Sequence, residues 1–299
     1  MRVADQLLKC VAFVAEVIAP DTTGVDLDHQ GTGFFVTVPS VLPGTSYPFF
    51  VTARHTAAGL VNRDSYIRVN NKSGGADCLQ VMGSSWYLHP TERTVDVAVI
   101  PCLLNSGLDV LSVSAPASFL TKALMEEKRI GVGDEVFTIG LFTPAVGSVR
   151  NMPIVRYGNI AMLPDEPIQV DGEFAEVYLI ESRSIPGISG SPAFVRQTLA
   201  IDGGNDAHGQ QRSLLGASSE NVLLGLVRGH WDVRESDLNK PSFIHDRQRG
   251  VNLGIATVVP AHKILEVIDQ PALVALREAY DAEITKGRVP GADGGGGAR

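Results

Sequence analysis

Ser184–Phe194 reads SIPGISGSPAF, a turn that presents one serine, Ser189, between glycines. Gly187 and Gly190 suit a tight, irregular backbone, because glycine alone adopts positive φ without strain. A serine hydroxyl is a weak nucleophile unless a general base takes its proton. It also needs backbone N–H groups aimed at the oxyanion that develops during attack, and a G-x-S-G turn can supply the amides of Gly187 and Ser189. Two upstream stretches hold the missing groups. FFVTARHTAAG carries His55, and VDVAVIP carries Asp96, 41 residues later and 93 before Ser189. In this set Asp96 would orient the imidazole, His55 would take the proton and Ser189 would attack an acyl carbon.

Each residue alone reads more plainly: Ser189 as a turn serine, His55 as a core histidine, Asp96 as a strand-end acid. The three in order make the chemical reading. An α/β-hydrolase would need G-x-S-x-G on a strand–turn–helix, with the acid and histidine after the serine. Here Ser191 follows Gly190, a strand-like run comes next, and no βα alternation exists. Gly131-Val132-Gly133 lacks the third glycine and the helix of a dinucleotide site. The three cysteines, Cys10, Cys78 and Cys102, are widely spaced, and no CxxC, CxxH or HExxH occurs, so no metal site is expected. No cofactor is implied. His89, in WYLHP, is expected to pack beside the aspartate strand.

The elements that must position these groups read as short strands. Val11–Ile18, Gly31–Val38, Pro48–His55, Val95–Pro101, Glu135–Phe142, Val155–Met162, Ala175–Ile180, Pro192–Val195, Val222–Trp231 and Gly254–Val259 are strand-like. Ser65–Val69 and Cys78–Met82 suggest a hairpin around Gly74-Gly75. His55 falls at a strand end, before a single helical turn. Asp21–Gln30 reads as a polar loop, Arg196–Asn221 as a surface insertion and Asp232–Gly250 as a second long polar loop. Phe119–Glu127 looks helical. Ala261–Asp269 and Pro271–Lys286 look like amphipathic helices, the first with Ile264, Leu265, Val267 and Ile268 on its apolar side. Helices only at connectors and at the end indicate an all-β barrel architecture.

With these residues in view, the chain resembles trypsin-like serine peptidases of the chymotrypsin fold. VTARHTA, DVAVI and GISGSP match that family's histidine, aspartate and serine motifs. GTGFFV and GDEVFTIG are similar to its bacterial branch of high-temperature-requirement and glutamyl peptidases. The resemblance implies two six-stranded antiparallel β-barrels with the site between them, here followed by C-terminal helices. It implies that Val227, Arg228, Gly229 and His230, in GLVRGHW, take the substrate as an extra strand and wall the specificity pocket. It places Arg183 at the pocket base, where a guanidinium would favour an acidic or polar residue before the cleaved bond, or would turn to Glu181 or Glu135 and leave the pocket neutral. Thr56 stands in place of the usual cysteine, so that loop disulfide is absent. Ile188 stands where animal enzymes keep the acid that binds a freshly cleaved N-terminus, so activation of that kind is not expected.

Composition bounds the partners. The 299-residue chain is 44% apolar, enough for one large domain or two packed lobes. A net charge of −8 with no basic run argues against nucleic acid and anionic membrane surfaces. No apolar run reaches the length of a membrane span. Asp5, Lys9 and Glu16 interrupt the N-terminal apolar stretch, so no signal peptide is expected and a cytoplasmic location is. The expected organisation is a lobe over 1–118, a second over 119–260, helices over 261–287 and a disordered glycine-rich tail over 288–299. The expected function is a serine endopeptidase acting on protein or peptide. The alternative is a catalytically silent module of the same fold that binds a protein through its long loops.

Overall fold

The structure is a computed structural model. It describes residues 3–21, 24–60, 63, 65–81, 86–182, 187–196, 200–202, 214–216, 221–233 and 251–287. The first sheet is built from β1 (Val11–Asp21), β2 (Gly24–Pro39), β3 (Ser46–Thr52), β4 (Ser65–Asn70), β5 (Ala76–Val81), β6 (Tyr87–Leu88), β7 (Ala98–Pro101) and β8 (Val113–Ser114). Their order is β5-β4-β1-β2-β3-β7-β6, with β8 beside β2 in parallel. The second lobe uses β9 (Glu135–Gly140), β10 (Ile154–Met162), a small hairpin of β11 (Ile168–Val170) and β12 (Glu173–Ala175), β13 (Tyr178–Glu181) and β14 (Pro192–Arg196). It also has a two-stranded piece, β15 (Ala200–Asp202) with β16 (Leu214–Gly216), then β17 (Asn221–Val233) and β18 (Val251–Pro260). Six of these close a barrel in the order β10-β13-β18-β17-β14-β9. Helices are α1 (Arg54–Gly59), α2 (Lys122–Glu127), α3 (Ala261–Ile268) and α4 (Pro271–Thr285).

The all-β, two-lobed architecture with C-terminal helices is as expected. Among the described residues the first lobe is an eight-stranded sheet. Two-residue β6 pairs with β7. Within the expected loop Asp21–Gln30, residues 24–30 are strand. Backbone pairing with β1 overrides its polarity, and from Leu27 to Gln30 half-buried and exposed residues alternate with the period of a strand. Asp96 lies two residues before β7 instead of within it. The expected tail over 288–299 and most of the two long loops lie outside the described residues.

The doubled phenylalanines explain why the first sheet is buried on both faces. Phe34, Val36, Phe49 and Val51 point into a core shared with Phe137, Phe194, Leu226 and α3. Phe35 and Phe50 point the other way, into a core with Leu60, Ile67 and Val69. The register Phe34↔Val51, Phe35↔Phe50 sets this alternation, and the Phe35 and Phe50 rings lie 5.1 Å apart. Because one core runs through both lobes and α3, groups from the two lobes meet in a fixed relation. Helix α3 buries Ala261, Ile264, Val267 and Ile268 completely, while Leu265 lies at the rim, half-buried. The three cysteines are free; Cys10 is buried and Cys78 exposed. Burial pushes the Cys10 and Cys102 thiols up to about 12. Among the described residues no helix is long and apolar enough to cross a membrane.

Candidate active site

Strands β3 and β7 pair antiparallel, with Thr52 opposite Ala98. The residues just past that rung, His55 after β3 and Asp96 before β7, therefore emerge at the same end of the ladder. His55 sits in the first turn of α1, whose leading N–H groups have no partner within the helix. Asp96 serves both needs. One carboxylate oxygen accepts the His55 backbone N–H at 2.9 Å, and the other lies 2.7 Å from His55 Nδ1. The Asp96 side chain is 9% exposed and the imidazole 54% exposed. A buried carboxylate persists only with such partners. With Nδ1–H held by Asp96, His55 Nε2 carries the free lone pair and faces outward.

The serine turn comes from the other lobe. Ser191 N–H closes on Ile188 O at 3.0 Å, and Gly190 between them has φ +85°, which matches a type II turn with Ser189 at its second position. A Cβ at Gly190 would lie 1.9 Å from Thr32 O, so glycine is required there on two counts. Gly190 N–H donates to Val227 O and Val227 N–H to Ser191 O, both at 2.8 Å, stapling the turn to β17. Ile188 is 2% exposed. It packs in the barrel core with Ile130, Val136 and Ile160, which anchors the turn by apolar contact. Among the described residues no carbonyl accepts from the amides of Gly187 or Ser189.

Ser189 Oγ donates to the carbonyl of Arg228 at 3.1 Å, and no hydrogen bond joins it to His55. The imidazole is thus bonded to Asp96 and not to Ser189. The reason is local. Arg228 lies at a bulge where the β17–β18 register slips between Val227 and Gly229. A bulged residue leaves the ladder, so its carbonyl can accept the serine hydroxyl.

A polar cleft of about 320 Å³ opens beside His55 and Asp96. Arg93 and Thr94 line it from the first lobe, and Asp171, Arg228, Gly229 and His230 from the second. Arg228 Nη2 reaches Asp171 at 3.1 Å. Val227, also expected to bind substrate, is 1% exposed, and its backbone N–H and C=O already meet Ser191 O and Gly190 N–H. Arg183, the expected pocket base, lies outside the described residues. His89 is committed elsewhere: Nε2 meets Glu266 at 2.8 Å and Nδ1 accepts the Glu92 N–H.

Sequence reasoning missed two positioning groups. Thr32, fully buried in β2, binds the serine turn from the first lobe. Its signal was the pair of flanking glycines, since glycine inside a strand marks close backbone approach. A Cβ at Gly31 would lie 3.2 Å from Ser189 O, and one at Gly33 2.1 Å from the Phe50 ring. Asn151 is the second. It takes Arg68 Nη1 at 2.8 Å and the Asn70 side-chain amide at 3.1 Å, tying the segment after β9 to β4. Thr143 in that segment would lie 2.9 Å from a Cβ on Gly187.

No family model matches the chain, and no curated protein matches it. Among solved structures it is similar to the MamO protease domain from Magnetospirillum magneticum in its apo form. That identity is 15%, over 88% of this chain and 97% of that one, with a TM-score of 0.47. It is also similar to Deg5, at 14% identity over 87% of each chain with a TM-score of 0.45. A third is the active form of the Rv3671c protease from M. tuberculosis, at 16% identity over 87% of this chain and 79% of that one, with a TM-score of 0.44.

Proposed function

We propose that the chain is a serine endopeptidase in which Ser189 is the nucleophile, His55 the general base and Asp96 its orienting carboxylate. The observation that carries this reading is the His55–Asp96 pair, a buried carboxylate 2.7 Å from an outward-facing imidazole at the mouth of the inter-lobe cleft. In the reaction the Ser189 hydroxyl turns from Arg228 O toward His55 Nε2. The substrate strand lies along β17 and offers a backbone N–H to the Arg228 carbonyl that the serine leaves. Oγ attacks the scissile carbonyl as its proton passes to Nε2, and Asp96 stabilises the imidazolium. The amides of Gly187 and Ser189 hold the oxyanion. The imidazolium protonates the departing amine, leaving an acyl-enzyme. Water, deprotonated by His55, then releases the acid and restores Ser189.

The hydrogen bond from Ser189 to Arg228 O favours a second reading, a silent module in which that hydroxyl stays parked and the fold only binds protein. A fluorophosphonate probe separates the two. Wild type should label covalently, Ser189→Ala should not, and His55→Ala should label about 10²–10⁴-fold more slowly. No labelling of wild type, or equal labelling of Ser189→Ala, sinks the peptidase reading in favour of the silent one.

A further inference from the structure

Thr32 makes four hydrogen bonds from full burial. Its N–H donates to Ser189 O at 2.9 Å, and its carbonyl accepts from Thr52 Oγ1 at 2.7 Å. Its hydroxyl donates to Gly187 O at 2.8 Å and accepts from Leu141 N at 2.8 Å. The direction of the hydroxyl is forced. Leu141 N–H can only donate and Gly187 O can only accept, so the single hydroxyl proton is committed to Gly187.

Gly187 needs such a partner. Its φ is +93°, and a Cβ would lie 2.9 Å from Thr143 Cγ2 and 3.1 Å from Leu141 Cγ, so only glycine fits. Glycine is also the residue whose backbone is least self-determined. Thr32 thus holds Gly187 O by its side chain and Ser189 O by its backbone, one residue apart on each side of Ile188. Through Thr52, three residues before His55, it is joined to the strand that delivers the imidazole.

We propose that Thr32 is a positioning residue of the active site. Its hydroxyl fixes the Gly187–Ile188 peptide, so that the amides of Gly187 and Ser189 aim at one point beside the nucleophile. This inference rests on the peptidase reading above. Thr32 touches no reacting atom and acts through Gly187. Transition-state charge is stabilised only by donors already in place, and losing one such donor lowers kcat by about 10²–10³-fold. A misaimed donor loses part of that.

The test is peptide hydrolysis by Thr32→Val and Thr32→Ser. Valine keeps the shape and both backbone bonds but deletes the hydroxyl. It should lower kcat by about 10–100-fold and change KM by less than about threefold. Serine keeps the hydroxyl and should return kcat to within about threefold of wild type. Ile264→Ala, a core change in α3 remote from the turn, should lower the melting temperature at least as much while leaving kcat at the wild-type value. If Thr32→Val does not fold, Thr32→Cys, with its weak donor, replaces it with the same expected fall. Unchanged kcat in Thr32→Val, or equal falls in the valine and serine variants, overturns the proposal. If wild type fails to label with fluorophosphonate, the peptidase reading falls instead. Amide exchange still reads the hydroxyl: Leu141 N–H should lose protection in Thr32→Val and keep it in Thr32→Ser, and equal protection in both overturns the assignment.

Discussion

At the residue scale, the site depends on backbone positions that tolerate no side chain. Gly190 combines φ +85° with a carbonyl 1.9 Å from where a Cβ would sit. Gly190→Ala should therefore cost about 2–5 kcal/mol, from left-handed strain plus overpacking. Gly229, four residues past Gly225 on β17, has nothing within 4 Å of its Cβ position. Gly229→Ala should change stability by less than about 0.5 kcal/mol. Urea denaturation of the two variants checks this contrast; equal costs would mean that the tight approach at Gly190 is misread. The same scale holds the distinction between His55 and His89. Both are histidines near a carboxylate, but His55 leaves a ring nitrogen facing the cleft and His89 uses both of its own.

At the element scale, α3 couples the lobes. Its apolar face, Ala261, Ile264, Val267 and Ile268, enters the core that also holds Val97, Phe194 and Leu226. Ile264→Ala should cost about 2–5 kcal/mol, because a fully buried residue leaves a cavity. Leu265→Ala should cost less than half of that, since Leu265 lies at the rim and water fills the space left. Thermal unfolding of both variants decides it; a larger loss at Leu265 would mean that the helix is rotated. The apolar spacing identified this helix, but the choice between Ile264 and Leu265 depends on how the helix is turned against β17 and β7.

At the scale of the whole molecule, an ion network joins α3 to both lobes. Lys263 lies 3.0 Å from Glu92, 3.2 Å from Glu266 and 3.5 Å from Glu176, with His89 on Glu266 and His262 on Glu176. Burial opposes charge on Glu266, but hydrogen bonds from His89 and Lys263 and the fields of Lys263 and His262 outweigh it. The carboxyl is held below its ordinary 4.5. Such a group stabilises the fold fully above pH 4.5 and loses that contribution as pH falls through its lower folded value. Lys263 is also desolvated, yet Glu92 and Glu266 raise it above its ordinary 10.5, so its contribution is kept below that pH and lost well above it. Between pH 7 and pH 4, wild type should therefore lose about 1–3 °C more in Tm than Glu266→Gln. Identical losses in calorimetry would show that the network contributes nothing.

What the sequence determined by itself was local: the serine turn, the strand ends that carry His55 and Asp96, and the α3 and α4 helices. These follow from glycine, from apolar periodicity and from turn chemistry, which act over a few residues. Tertiary structure decided what depends on distant partners. Residues 24–30 became strand because β1 lay beside them. Ile188 was anchored by a barrel core assembled from segments up to about 70 residues away in sequence, among them Ile130 and Ala256. Thr32 acquired its partners because β2 passes under the serine turn, and Ser189 turned to Arg228 because a bulge freed that carbonyl. None of these contacts lies within one element, so no pattern along the chain could announce them.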